Sequence, residues 1–231
     1  MQFHAILSNP AHPEYGVATI PFPLSREEYD HSMEVLSALE IGDAVRQDCK
    51  VDELTDCYPV LKRLEGQIVN GDELDYLAKR LDSFWGDEGS QFQAMAEKLD
   101  LTDIKDFINL TFCCQQATVI TDFSNLEQIG KNHYMNLNGG CASTEELDNL
   151  DGEETARLLI DSGAGVVTPY GVVYDNGMKL EPLYPDRFLY GRRRSVLQLR
   201  AELYRLSRAC CGIQPACHRL DRHGDPRGGA D

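Results

Sequence analysis

The acidic side chains of this chain are concentrated in its first 190 residues. Residues 1–190 contain 34 acids and 13 bases, a net charge of -21, whereas residues 191–231 contain 4 acids and 9 bases, a net charge of +5. A body with this charge repels nucleic acids and anionic membranes, and it attracts cationic surfaces. The DNA-binding groove of another protein is the commonest large surface of that kind. The charge pattern therefore predicts a protein partner, with no direct binding to nucleic acid or membrane.

The length and apolar content are typical of folded domains. The 231 residues, 42% of them hydrophobic, are enough for one large domain or two to three small ones. No apolar run approaches the roughly 18 residues that span a bilayer, and the first sixteen residues lack the features of a signal peptide. The eight cysteines form no repeated CxxC pattern. These observations predict a cytoplasmic protein with reduced thiols, in which Cys113 and Cys114 are buried apolar residues.

Residues 1–68 have the pattern of a small α+β domain. Strands are predicted at 3–7 and 17–22, joined by a proline-rich turn. The SREE sequence at 25–28 is a capping box that opens a helix, and alternation at 45–51 predicts another strand. The helix is predicted to stop at Gly42 and to bury Tyr29, Met33, Leu36 and Leu39.

Residues 69–135 are predicted to form an acidic domain of four short helices. The candidate N-cap residues are Asn70 or Asp72, then Ser90, Thr102 and Ser124. Residues 117–123 favour an extended segment between the last two helices. The residues predicted to be buried at helical spacing are Leu74, Leu77, Leu81, Phe84, Phe92, Met95, Ala96, Leu99, Ile104, Phe107, Ile108, Thr111, Leu126 and Ile129.

Residues 136–190 are predicted to form a C-terminal α+β domain. A capping box at Ser143 opens one helix, and a second helix spans 153–161 and stops at Gly163. Two β-rich runs then flank Asn176-Gly177, a strong hairpin signal. The basic tail at 191–231 is predicted to be partly helical or disordered, and it is compatible with binding either nucleic acid or the acidic body. The predicted fold is therefore an α+β chain of three parts followed by a tail.

Acidic side chains at helical spacing are the main functional signal. Residues 65–161 contain 20 acids and 6 bases, and helix neighbours three or four apart have Cβ atoms about 5–6 Å apart. The spacing of carboxylates in such a row roughly approaches the spacing of phosphates along a DNA strand, where the axial rise is about 3.4 Å per phosphate. Any single acid is explained as well by solubility, but the self-repulsion of the whole set favours a partner. The predicted partner-binding acids are Asp72, Asp75, Asp82, Asp87, Glu88, Asp103, Asp106, Asp122, Glu127, Glu145, Asp148, Glu154 and Asp161.

Catalytic interpretations have less support in the sequence. The histidines at 4, 12, 31 and 133 have no HExxH or comparable spacing, and the cysteines and histidines of the tail fit no standard zinc finger. The glycines around Ser162–Gly165 are typical of a helix stop and a turn, not of a phosphate loop. The sequence therefore predicts a non-enzymatic protein without catalytic residues, metal or cofactor. A metal-dependent hydrolase that uses clustered acids is the enzymatic alternative.

The order of these segments resembles the ArdA antirestriction proteins of conjugative plasmids and transposons. The resemblance covers roughly residues 1–185. Its segments are VATIPFPLSREEYD, QDCKVDEL, DELDYLAKRLDSF, LTDIKDFINLTF, FSNLEQIGKNHY and ARLLIDSGAGVVTPYGVVYDNGMKLEPLY. It implies an elongated three-domain protein that dimerises through its C-terminal domain. It also implies an acidic surface that mimics DNA and blocks cleavage and methylation by type I restriction–modification enzymes.

Two alternatives remain open from the sequence. One keeps the DNA mimicry but changes the target to another DNA-binding defence protein, such as a CRISPR effector. The other is an acidic interaction adaptor of a mobile element, without DNA mimicry. Competition by duplex DNA distinguishes them, because only a DNA mimic shares its binding site with DNA.

Overall fold

The computed structural model describes residues 1–43, 46–139, 141–175, 179–180 and 182–184. The predicted Asn176-Gly177 turn and the basic tail at 191–231 lie outside these residues. None of the described helices is both long enough and apolar enough to cross a membrane. Helices and antiparallel sheets are both present, which confirms the α+β prediction.

A four-stranded antiparallel sheet occupies the N-terminal part in the order β2-β1-β3-β4. Its strands are β1 (Phe3–Ser8), β2 (Val17–Phe22), β3 (Cys49–Thr55) and β4 (Ile68–Val69). Alternate residues of β1 are fully buried, as the period of a strand with one buried face requires. The first two predicted strands are confirmed, and the third begins at Cys49 instead of residue 45 and continues to Thr55.

Helix α1 (Tyr29–Ala38) begins after Glu28, which is its N-cap residue and makes no side-chain cap bond, so the predicted capping box at 25–28 does not cap the helix. The Ser25 hydroxyl instead donates to the Glu28 carboxylate at 2.9 Å and accepts from the Glu28 amide at 3.1 Å. The prediction of the buried face of α1 was partly wrong, because Ser32 and Leu36 are buried while Tyr29 and Met33 are exposed.

The predicted stop of α1 at Gly42 was also late. The chain leaves the helix at Glu40, which adopts the left-handed conformation, and the amide of Ile41 donates back to the carbonyl oxygen of Leu36 at 2.9 Å. The side-chain amide of Asn9 donates to the carbonyl oxygen of Leu39 at 2.8 Å, which supplies a partner for a carbonyl at the helix end.

Three helices form the central part: α2 (Gly71–Asp82), α3 (Glu88–Lys98) and α4 (Ile104–Leu110). Asn70 caps α2, as predicted, by accepting a hydrogen bond from the amide of Asp72 at 2.8 Å. The other two predicted caps were wrong. Ser90 lies inside α3, and Asp103 replaces Thr102 as the cap of α4 because its carboxylate accepts from the amide of Lys105 at 2.8 Å.

The apolar faces of these helices meet around the Phe92 ring. Its centroid lies 5.6 Å from that of Phe84, 6.0 Å from Phe107 and 6.1 Å from Tyr58. Aromatic pairs at such separations are stabilising beyond the area that they bury. Nearly all the residues predicted to be inward on α2, α3 and α4 are buried; Phe84 and Leu99 are half-buried.

A second antiparallel sheet has the order β5-β7-β6. Strand β5 (Thr118–Ile120) confirms the extended segment, and β6 (Val166–Thr168) and β7 (Gly171–Tyr174) form a hairpin. The first of the two β-rich runs folds back on itself at residues 169–170, whereas the predicted hairpin turn at Asn176-Gly177 lies outside the described residues. The Thr168 hydroxyl closes the turn at 169–170 by donating to the carbonyl oxygen of Gly171 at 2.8 Å. The described residues after the predicted turn, 179–180 and 182–184, contain no strand.

The remaining helices are α5 (Leu126–Leu137), α6 (Thr144–Asn149) and α7 (Gly152–Asp161). Ser143 caps α6 in a complete capping box, as predicted. The prediction for α5 was wrong by one residue, because Ser124 donates instead to Asp122 at 2.7 Å and Asn125 becomes the cap. The left-handed Gly163 follows α7, in agreement with the predicted stop.

Contacts connect residues on both sides of the predicted boundary at 135/136. Strand β5 pairs with β7, Lys98 of α3 forms an ion pair with Asp175 at 2.6 Å, and the amide of Tyr184 donates to Asn109 of α4 at 2.7 Å. Met1–Arg193 forms one compact unit by contacts. The division of the chain into 1–68, 69–135 and 136–190 stays a prediction.

Helices α5 and α7 touch through their backbones at two glycines. A Cβ at Gly130 would lie well inside van der Waals contact with the carbonyl oxygen of Gly152, and a Cβ at Gly152 would meet the carbonyl oxygen of Glu127. Both obstacles are backbone atoms, which cannot move aside as a flexible side chain can. The two positions therefore require glycine for packing.

We expect Gly130→Ala to destabilise the protein by about 2–3 kcal/mol, because the methyl group forces the two helices apart. A loss of that size lowers the melting temperature of a protein of this length by roughly 4–12 °C, which differential scanning calorimetry measures. Gly71→Ala is the matched control, since a Cβ there meets no atom within 4 Å. Equal melting temperatures for the two variants would contradict this packing.

Candidate functional site

All the acidic side chains between residues 121 and 161 are exposed. They lie on and around α5, α6 and α7, and the same span contains two bases, Lys131 and Arg157. Each base is paired with an acid, Lys131 with Glu127 and Arg157 with Glu153. The exposed acids of this surface, called here the α5–α7 carboxylate surface, are Asp122, Glu127, Glu145, Glu146, Asp148, Asp151, Glu153, Glu154 and Asp161.

The glycine contact between α5 and α7 brings acids from the two helices together. The Glu127 carboxylate of α5 accepts a hydrogen bond from the amide of Glu153, in the first turn of α7, at 3.1 Å. It also pairs with Lys131 at 2.8 Å. A helix N-terminus stabilises nearby negative charge, so this end of α7 accommodates several carboxylates at short range.

Hydrogen bonds from nearby backbone amides and side chains hold several of these carboxylates in place. Asp122 accepts from both the hydroxyl and the amide of Ser124, and these bonds lower the pKa of Asp122. The backbone amide and hydroxyl of Ser143 likewise lower the pKa of Glu146. Hydrogen bonding to Lys131 lowers the pKa of Glu127. These groups therefore stay ionised at pH values where ordinary carboxyls begin to bind protons.

Four other acids on this surface have no such internal partner. Glu145 and Asp148 on α6 and Glu154 and Asp161 on α7 are exposed, and their carboxylates form no ion pair or hydrogen bond with any other described residue. All four belong to the set predicted from sequence. Since they are exposed and uncommitted, they are the acids best placed to meet cationic groups of a partner.

An open cleft of about 520 Å³ lies beside these residues. Tyr134 of α5 forms one side, and α6 with its flanking residues forms the other. Its lining includes Glu145, Glu146 and the apolar Leu150. A cleft with an aromatic ring and two carboxylates suits a long basic side chain, whose apolar stem and charged head need different surroundings.

The predicted acids of α2–α4 are more heavily engaged within the protein. The Asp75 carboxylate is largely buried, accepts from the amide of Leu24 at 2.8 Å and pairs with Lys79. Asp82 pairs with the N-terminal amine, Glu88 accepts from the amide of Trp85 at 2.8 Å, and Asp103 caps α4.

The remaining predicted acids of this region differ in exposure. Asp72 and Asp87 are exposed at the starts of α2 and α3, and Asp106 is half-buried on α4. The structure thus concentrates the uncommitted acids on α6 and α7, near the C-terminal end of the described chain. The central helices contribute fewer of them than the sequence predicts.

Sequence reasoning missed several acids that the structure exposes. Glu146, Asp151 and Glu153 belong to the α5–α7 carboxylate surface but not to the predicted set. Glu146 was interpreted as part of a capping box, and the structure shows that a capping residue can also be exposed. Helix α1 and the turn before it expose a separate acidic group, which consists of Glu27, Glu28, Asp30 and Glu34.

Two thiols and one histidine of the described residues are enclosed by the fold. Burial raises the pKa of the Cys114 thiol and raises that of Cys49 to about 12, so both stay protonated near neutral pH. Cys113 is only half-buried, contrary to the prediction for that residue. His133 lies 2.9 Å from the Thr118 hydroxyl, and burial lowers its pKa. The described part of the chain contains no group of three or more potential ligands that could hold a metal ion.

One acid in the body is buried where a charge is costly. Glu73 of α2 is 9% exposed, and one of its carboxylate oxygens has no hydrogen-bond partner. Desolvation raises the pKa of Glu73, while nearby Lys105 and a hydrogen bond with Tyr184 oppose that shift. Because the folded-state pKa is raised, the protein loses stability as Glu73 ionises with rising pH.

We expect Glu73→Gln to raise the melting temperature at pH 7, because glutamine fills the same space without a charge. The gain should shrink as the pH falls through the pKa of Glu73, where the wild-type side chain becomes neutral as well. Thermal melts at a series of pH values measure this, with the exposed Glu34→Gln on α1 as control. A gain that is independent of pH would contradict the argument.

We expect Ser143→Ala to raise the pKa of Glu146 only part of the way towards its ordinary value, because the backbone amide still donates. The same change should destabilise the protein by about 1 kcal/mol through loss of the helix cap. A side-chain NMR titration measures the first effect, and the Ser124-bound Asp122 is the internal reference. An unchanged pKa for Glu146 would show that the hydroxyl does not hold this carboxylate.

Comparisons with known proteins add no relative to this description. No protein-family model, no curated protein and no solved structure matches the chain. The function therefore has to be inferred from the residues themselves: the charge distribution, the order of the sequence segments and the exposed carboxylates of α5–α7.

Proposed function

We propose that this protein is a non-enzymatic antirestriction protein of the ArdA type. It acts as a DNA mimic in the cytoplasm, where it occupies the DNA-binding groove of type I restriction–modification enzymes. Cleavage and methylation of DNA are both blocked while the groove is filled. The activity needs no cofactor, since binding alone produces the inhibition.

The observation that carries this proposal is the α5–α7 carboxylate surface. Nine exposed acids occur there with two bases, and both bases are already paired with acids. Such a surface costs stability through repulsion unless a cationic partner offsets it. Among the described residues, the carboxylates of Glu145, Asp148, Glu154 and Asp161 accept no hydrogen bond and form no ion pair, so they offer the acceptors that phosphate oxygens offer on DNA.

The arginines and lysines of a DNA groove bind carboxylates through the same charge-assisted hydrogen bonds that they form with phosphates. Several acids of this surface are also fixed in place by the hydrogen bonds of Ser124, Ser143 and Lys131. A surface with fixed charges avoids the bending cost of DNA, on the order of 1–6 kcal/mol for a short site. A mimic can therefore compete with DNA even if it makes fewer contacts.

In this proposal the body has three parts, 1–68, 69–135 and 136–190, and the last of them forms a homodimer. The acids predicted on α2–α4 extend the surface beyond α5–α7. Among these, the exposed Asp72 and Asp87 contribute more than Asp75, whose charge is already matched by Lys79.

We expect the wild-type protein to protect unmethylated plasmid from a type I restriction–modification enzyme at near-stoichiometric concentration. The triple variant Glu145→Gln, Asp148→Asn and Glu154→Gln should require about tenfold more protein, because each exposed ion pair contributes roughly 0.2–1 kcal/mol. Each single change should have an effect of about twofold. Both added duplex DNA and an increase from about 50 to 200 mM salt should relieve the inhibition.

The matched control is the triple variant Glu27→Gln, Asp30→Asn and Glu34→Gln, which removes the same charge from α1 and the turn before it. If both triple variants lose inhibition equally, net charge matters and the α5–α7 surface does not. If the folded wild-type protein does not inhibit at large molar excess, type I enzymes are not the target. If duplex DNA does not displace the protein from its partner, the adaptor alternative is favoured.

A further inference from the structure

The turn between α2 and α3 exposes the single tryptophan of the chain. Trp85 is 87% exposed, more than any other large hydrophobic residue among those described. Scattered exposed leucines or valines are ordinary. An indole is different, because tryptophan is highly buried on average and is enriched among the residues that dominate protein–protein binding energy.

The backbone that presents Trp85 is held firmly. The amide of Trp85 donates to the Glu88 carboxylate at 2.8 Å, and the amide of Glu88 donates to the carbonyl oxygen of Trp85 at 3.2 Å. Phe84 packs edge-on against Phe92 in the core, with ring centroids 5.6 Å apart. Gly86 adopts the left-handed conformation that completes the turn. The indole is therefore displayed from a fixed position, although its side chain contacts no described ring.

The surroundings of the indole are negatively charged. Between Asp82 and Glu88 the chain carries three carboxylates and no basic side chain. Asp82 is paired with the N-terminal amine and Glu88 accepts from the amide of Trp85, which leaves Asp87 as the third carboxylate. Asp87 is exposed, and its side chain caps no helix. An aromatic face beside carboxylates suits a guanidinium group, which can stack on the ring while it hydrogen-bonds to an acid.

Lysine fits this arrangement less well. Its ammonium group is compact and strongly hydrated, whereas the planar guanidinium of arginine stacks on aromatic faces and loses less hydration. The protein already contains one such pair in its interior, in which Arg80 lies 4.5 Å from the ring centroid of Phe112.

We propose that Trp85 and Asp87 form a docking point for an arginine side chain on the surface of the partner protein. This inference rests on the proposed function for the nature of the partner, a DNA-binding protein with exposed arginines. It adds a residue-specific anchor to a surface that otherwise acts through distributed charge. An anchor of this kind differs from a DNA phosphate, which offers an arginine a negative charge but no aromatic face.

The first test needs no restriction enzyme, because Trp85 is the only tryptophan and its emission reports on this position alone. Hexa-arginine and hexa-lysine peptides are titrated into the full-length protein at the same ionic strength. We expect hexa-arginine to change the emission at a concentration at least threefold lower than hexa-lysine. Asp87→Asn should weaken the arginine response. Equal responses to the two peptides would overturn the proposal.

The second test uses the type I restriction–modification enzyme and measures its affinity for each variant. Trp85→Ala should weaken binding by about thirtyfold, as expected for a residue that dominates an interface. Trp85→Phe should weaken it by less than tenfold, because a ring remains. Tyr29→Ala is the matched control, since Tyr29 is an exposed aromatic residue between acids on α1.

The outcomes separate the two proposals. If the wild-type protein inhibits and Trp85→Ala inhibits equally well, the arginine anchor is wrong while the proposed function stands. If the wild-type protein does not inhibit, the function fails, and the peptide titration still decides whether Trp85 binds arginine. Circular dichroism and melting curves show whether each variant is folded, which is expected because Trp85 is 87% exposed.

Discussion

The backbone contact between α5 and α7 determines where the exposed carboxylates lie. Gly130 and Gly152 allow the two helices to approach until backbone meets backbone, and this places the first turn of α7 against Glu127. The partial positive charge of a helix N-terminus then offsets part of the repulsion among the acids. A larger residue at either glycine would separate the helices and weaken that compensation. Packing and electrostatics are therefore coupled at the candidate site.

The acids of this chain serve two different purposes. Some act within the fold, as Asp75 does when it holds the amide of Leu24 and pairs with Lys79. Others, such as Glu145 and Glu154, are exposed, and their carboxylates form no hydrogen bond or ion pair with another described residue. Only the second kind offers charge to another molecule without loss of stability elsewhere. Net charge alone does not separate the two, which is why a count of acids overstates the interaction surface.

Local sequence signals predicted the elements whose stabilising contacts are themselves local. The capping box at Ser143 and the Asn70 cap are confirmed, because each depends on hydrogen bonds within three residues. Errors occurred where a distant or competing partner intervened. The Ser124 hydroxyl donates to Asp122, so that Asn125 caps α5 instead. The side chain of Asn9, which lies outside α1, binds the carbonyl oxygen of Leu39 at the end of that helix. Such competition is invisible in a window of a few residues.

The sequence by itself determined the α+β composition, most of the buried faces of the central helices and the acidic excess of the body. These follow from residue type and periodicity, which need no knowledge of neighbours in space. Only the tertiary structure decided which carboxylates remain uncommitted and that Trp85 stands exposed on a fixed turn. Exposure and pairing depend on the packing of segments far apart in the chain. The sequence thus predicted an acidic surface, and the fold separates the acids that are engaged within the protein from those that are exposed.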